Sequence, residues 1–150
     1  MPPTFNLQSV LDVRHSRVEA LEIELGKMLS LQQEVQRIYD LLLAQQAELF
    51  ARLVEAQSGE LDMFQISVLH ANVLQNDEQV KRVAEELVKI NSLVDAKRQE
   101  LVEARQDEET LQILKRKRIE VFNAEQAIKE ARTQDDIYIA QAFRARKENS

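Results

Sequence analysis

Cysteine and tryptophan do not occur in this sequence. Without a thiol there is no disulfide, no thiolate nucleophile and no thiolate zinc site. Histidine is limited to His15 and His70, which leaves little for a metal centre or an acid–base pair. Proline is confined to Pro2 and Pro3 and glycine to Gly26 and Gly59, so long stretches run without a residue that breaks a helix. Aromatic residues supply only 5% of the chain, unlike an ordinary globular domain. No apolar run approaches the ~20 residues that span a bilayer; the densest is Leu41-Leu42-Leu43-Ala44. A basic excess is missing too: the formal net charge is −6 and the pI about 5.1, which argues against a nucleic-acid binder. The opening Met1-Pro2-Pro3-Thr4-Phe5 has no basic segment followed by an apolar run, so no secretory signal is read there and the expected location is the cytoplasm.

What is present is a heptad. The 31% of charged residues, together with abundant Ala, Leu and Gln and a 3.5-residue apolar period, reads as all-α coiled coil. Asn6 is the expected N-cap of a first helix over about 6–57. Alternating steps of three and four carry the seam through Leu11, Val18, Leu21, Leu25, Met28, Val35, Tyr39, Leu42, Leu49, Leu53 and Ala56, broken only by Arg14, Gln32 and Gln46. The turn is placed at Gln57-Ser58-Gly59-Glu60, and a second helix runs over about 60–147. Its seam contains Ile66, Leu69, Val73, Asn76, Val80, Val83, Leu87, Ile90, Val94, Lys97, Leu101, Ala104, Glu108 and Leu111. So short a link makes the helices antiparallel neighbours. The predicted architecture is therefore a long antiparallel two-helix coiled coil, an α-hairpin, forming one unit over 1–150, with Leu25 near Val94 and Leu42 near Asn76. Asn76 with Gln79 has the form of a capping box, so the second helix either breaks near 75–77 or runs on; the seam's unbroken phase favours continuity.

After Leu111 the apolar phase slips to Leu114, Val121 and Ile128. At 1.5 Å per residue the first helix spans ~75 Å and the second ~130 Å, so residues from about 112 to 147 are expected to overhang the pair. Two features exceed what a hairpin requires. Near the turn, Phe50, Val54, Met63, Phe64 and Val68 lie off the seams; they form either the core of a short third helix over 60–75 or a surface for a partner. On the overhang stands the basic run Lys115-Arg116-Lys117-Arg118, with Leu114, Val121 and Phe122 around it. A solvated helix face is the plainer account of that run; an acidic partner surface, supplied by another subunit, is the functional one. The uncovered apolar residues of the overhang call for another subunit or for a second copy of this chain. No catalytic arrangement, cofactor motif or small-molecule pocket is read from the sequence. The expectation is a non-enzymatic protein with no cofactor, no metal and no nucleic-acid partner.

The opening Phe5-Asn6-Leu7-Gln8-Ser9-Val10-Leu11-Asp12-Val13-Arg14, with Glu19 and Leu25, resembles the start of the flagellar export protein FliJ family. Ala104, Asp107, Leu111, Leu114-Lys115-Arg116-Lys117-Arg118, Phe122 and Glu125 resemble that family's C-terminal half. The resemblance implies a coiled coil similar to the stalk of rotary ATPases, acting in a type III export apparatus as stalk or chaperone. It implies a hexameric export ATPase, a membrane export gate protein and export chaperones as partners, with the chain held at the inner membrane only through them. On that analogy Lys115, Arg116, Lys117, Arg118, Leu114, Val121 and Phe122 face the ATPase. Phe50, Val54, Met63, Phe64 and Val68 face the gate. The alternative is a cytoplasmic coiled-coil adaptor or self-assembling rod unrelated to export.

Overall fold

The structure, a computed structural model, describes residues 5–149. They form two helices, α1 (Gln8–Gln57) and α2 (Met63–Glu148), and no strand. An all-helical chain with a single short connection is consistent with an α-hairpin.

The helix ends show why the boundaries fall where they do. The Gln8 N–H donates to the Phe5 carbonyl at 3.0 Å and the Leu11 N–H to the Leu7 carbonyl at 2.9 Å. Asn6 therefore lies in the turn before α1 and does not cap it, and the helix begins two residues after the expected start. At the other end the Ser58 hydroxyl donates to the Glu55 carbonyl at 2.9 Å, and the Ser58 N–H reaches the same oxygen at 3.2 Å. That satisfies an acceptor the last turn would leave open. Gly59 has no positive φ, and a Cβ there would meet nothing within 4 Å, so the reversal does not depend on a left-handed glycine. The second helix starts at Met63 rather than 60 because Asp62 caps it. Its Oδ1 accepts from the N–H groups of Phe64 and Gln65 at 3.1 and 3.3 Å, two of the otherwise unpaired donors of a first turn. The third helix over 60–75 does not form: from Met63 onward these residues open α2, which runs without a break through 75–77.

The chain packs as two compact units, Met1–Arg17 with Ala104–Ser150, and Val18–Glu103. In the unit Val18–Glu103 the buried apolar side chains are Val18, Leu21, Ile66, Leu69, Ile90, Val94 and Leu101. All are seam positions of the heptad. Val94, 1% exposed, is the most enclosed; burying a side chain of this kind fully contributes about 1.5–3 kcal/mol. Polar breaks in the seams find partners across the helices. Lys97 Nζ donates to Glu24 at 2.9 Å, Gln32 Nε2 to Asn91 at 2.5 Å, and Asn76 Nδ2 to the Leu42 carbonyl at 3.2 Å. The partners stand 73, 59 and 34 residues apart in the chain, the separation falling as the α1 residue advances from 24 to 42. The expected meeting of Leu42 with Asn76 is present. Gly26 has open space where a Cβ would stand, so no neighbouring backbone within the described residues requires a glycine there.

In the other unit Leu11 and Ala104 are buried. Two adjacent pairs join the helices beside them: Arg14 to Asp107 at 3.1 Å and His15 Nδ1 to Glu108 at 2.7 Å. Beyond Ala104 no described residue of α2 is buried, and every residue from 127 to 149 is exposed. The apolar slip after Leu111 is not followed by the structure. Leu114, Val121 and Ile128 are exposed, while partial cover stays on the earlier phase, at Glu108, Leu111, Lys115 and Phe122. With nothing packed on the slipped positions, no force overwinds the helix to bring them inward.

Candidate partner-binding surfaces

Two groups of residues stand out once the buried seams are set aside. The first is the basic run on α2. Lys115 is half-buried; Arg116, Lys117 and Arg118 are exposed. Four consecutive helical residues turn by about 100° each and so point around most of the helix. Among the described residues none of the four has an ion-pair partner, although Glu120 follows closely. Some cations elsewhere on the chain are held by a neighbouring carboxylate. Arg37 is held by Glu34 at 2.6 Å, Arg52 by Glu48 at 2.6 Å and Lys81 by Asp77 at 3.0 Å. The hydrogen bond and charge of Glu34 raise the Arg37 pKa, and Arg37 lowers that of Glu34. Around the run, Leu114 and Val121 are exposed and Phe122 is half-buried.

The second group surrounds the connection. Phe50 and Val54 lie on the last turns of α1, and Met63, Phe64 and Val68 on the first turns of α2; all five are exposed, Phe64 at 79%. Leu61 in the connection and Leu74 further along α2 are exposed as well. None belongs to the core, which removes the reading of Phe50, Val54, Met63, Phe64 and Val68 as the interior of a third helix. A nearby groove of about 310 Å³ runs between Gln45, Leu49, Arg52, Asn72, Asn76 and Gln79. It is lined by amides, by Leu49 and by the Arg52 guanidinium paired with the Glu48 carboxylate, and holds no nucleophile with an adjacent base.

Sequence reasoning passed over one set of residues. Arg14, Gln32, Lys97, Asn76 and Glu108 are interruptions in a heptad when read along one helix. Across the two helices they are paired, and the pairs fix the register. Lys97 shows it best: its side chain, 17% exposed, bridges Glu24 at 2.9 Å and Glu100 at 3.3 Å. The hydrogen bonds it donates to Glu24, and then to Glu100, raise its pKa. Opposite charges at mirrored distances from the turn, Glu24 against Lys97 and Arg14 against Asp107, are the signal that would have found them. The Asp62 cap was also legible, since Asp62 and Gln65 have the three-residue spacing of a capping pair just before the second apolar series.

Among the described residues no group of three His, Asp or Glu side chains could hold a metal ion. No helix among them is long and apolar enough to cross a membrane. Searches against curated proteins and against solved structures return no match. The family model described as the flagellar FliJ protein matches residues 4–147, nearly the whole chain and both residue groups described above. The chain belongs to the FliJ family of flagellar proteins.

Proposed function

We propose that this protein is a non-enzymatic component of the flagellar export apparatus: an antiparallel coiled coil that couples a hexameric export ATPase to the membrane export gate. Family membership supports the setting. The shrinking separation of cross-helix partners supports the antiparallel pairing. The observation that carries the mechanism is an unpaired basic run, in a protein of net charge −6, on a stretch of α2 with no buried residue. Lys115, Arg116, Lys117 and Arg118, pointing around the helix, suit an enclosing acidic opening better than a flat surface. Leu114, Val121 and Phe122 supply apolar contact within it. The exposed group Phe50, Val54, Met63, Phe64 and Val68 at the connection is the surface offered to the gate.

Exposed charges cost little to lose from a fold, typically within ~0.5 kcal/mol each. They matter when they steer and dock a partner, and that contribution weakens with salt. Replacing all four basic residues by glutamate should leave the melting temperature of the free chain nearly unchanged, weaken association with the ATPase and flatten its salt dependence. Binding as tight as wild type at low salt would make the run a solvated helix face and remove the ATPase assignment.

A further inference from the structure

The exposed stretch of α2 contains a second complete heptad strip, and this strip matches itself. Its positions are Leu114, Lys117, Val121, Ala124, Ile128, Ala131, Asp135, Tyr138, Ala142 and Ala145. Every one of them is exposed. They keep the alternating three- and four-residue steps of a coiled-coil seam, on a face other than the one that carries Glu108, Leu111, Lys115 and Phe122. Two of the ten are charged, Lys117 and Asp135, and they are of opposite sign. A charge inside a helix–helix seam is costly unless an opposite charge meets it there.

We infer that this strip is an interface for a second copy of the chain, paired antiparallel about a two-fold axis near residue 126. In that register Leu114 meets Tyr138, Lys117 meets Asp135, Val121 meets Ala131 and Ala124 meets Ile128, each pair occurring twice by symmetry. Both seam charges are thereby neutralised. A parallel pairing instead sets Lys117 on Lys117 and Asp135 on Asp135. The small residues Ala124 and Ala131 fall opposite Ile128 and Val121, so large faces small along the axis. At the edge of the seam Arg118 of each copy comes near Arg132 of the other, and the Glu125 side chains of the two copies come near one another. That edge limits the strength of the dimer and makes it exchangeable. Because the strip includes Leu114, Lys117 and Val121, self-pairing and insertion into another partner exclude each other, so the dimer is a resting form that hides the binding segment. The pairing itself does not rest on the ATPase reading; only its role as a resting form does.

Sedimentation equilibrium of the full chain across a concentration series tests it, with circular dichroism to verify helix content. Wild type should show a monomer–dimer equilibrium. Lys117→Asp and Asp135→Lys should each weaken it by about tenfold or more, and the double exchange Lys117→Asp/Asp135→Lys should restore it. Mixing single-cysteine variants Leu114→Cys and Tyr138→Cys should give oxidised heterodimers in preference to homodimers, which a parallel pairing would reverse. A chain monomeric at all concentrations, a dimer indifferent to both exchanges, or a double variant without rescue would overturn the proposal. Each of these outcomes leaves ATPase binding to be measured separately.

Discussion

Val94 and Val121 are the same residue on the same helix, and both lie on heptad strips. In the unit Val18–Glu103, Val94 is 1% exposed; in the unit that contains residues 104–149, Val121 is 57% exposed. The intrinsic tendency to form helix is similar at both sites, and α2 passes through both without interruption. What differs is a matching strip. Val94 belongs to a seam that has an apolar counterpart on α1, and Val121 to one that does not. A coiled-coil heptad specifies a surface to be covered, and only a second strip in register decides whether it becomes core or interface. This is why the exposed half of α2 is the place to look for partners.

The largest effect that would break or sharpen the comparison comes from truncating each valine. Val94→Ala removes a fully enclosed side chain and should cost about 2 kcal/mol, seen as a fall in melting temperature of roughly 5 °C. Val121→Ala and Phe64→Ala should leave the melting temperature of the free chain unchanged, since both side chains are exposed. Equal losses at Val94 and Val121 would mean that the distal stretch is part of the core.

A smaller effect is expected at the start of α2. Asp62→Ala leaves the N–H groups of Phe64 and Gln65 without their acceptor and should lower stability by about 1 kcal/mol. Amide exchange should rise in the first turn of α2 and stay unchanged near Val121. Asp62→Asn, which keeps the acceptor, should recover most of the loss.

The smallest effect concerns Lys97, whose pKa is raised by Glu24 and Glu100. A lysine that holds its proton more tightly when folded contributes stability that is complete below the unfolded value of about 10.4 and is lost as pH rises through the raised folded value. Alkaline unfolding of wild type should therefore show a loss above about pH 10.4 that Lys97→Met lacks. The difference should be slight, because Glu24 and Glu100 are about half exposed and solvent screens the bridge.

Much of this was legible in the sequence. The seam of the unit Val18–Glu103 was readable because burial there follows a single period, and its buried apolar residues were all assigned from spacing. Apolar excess near the turn left two readings open, a third helix or a partner surface, and the third helix does not form. Phe64 and Met63 are exposed, and apolar composition does not say whether the cover comes from the same chain. The apolar phase slips after Leu111, yet α2 continues as one helix and nothing packs against the slipped residues. The partners of Arg14, Gln32 and Glu108 were missed because they lie 93 or 59 residues away, visible only after the register is set. Asn76 is 4% exposed, with one amide oxygen lacking a partner. The capping pattern allowed a break there, the unbroken seam favoured continuity, and α2 runs on, with the Asn76 amide nitrogen bonded to the Leu42 carbonyl. As for the basic run and the apolar group at the connection, the sequence pointed to both, and their exposure is consistent with surfaces kept open for other molecules.

The most direct test of the central claim is hydrogen exchange of the full chain, alone at a concentration where it is monomeric and again with a stoichiometric excess of the export ATPase. Alone, residues 18–103 should be strongly protected and residues from 112 onward should exchange fast. With the ATPase, protection should rise over 112–148 and stay constant over 18–103. Equal protection of both stretches in the free chain, or no gain beyond residue 112 when the ATPase is present, would contradict the account.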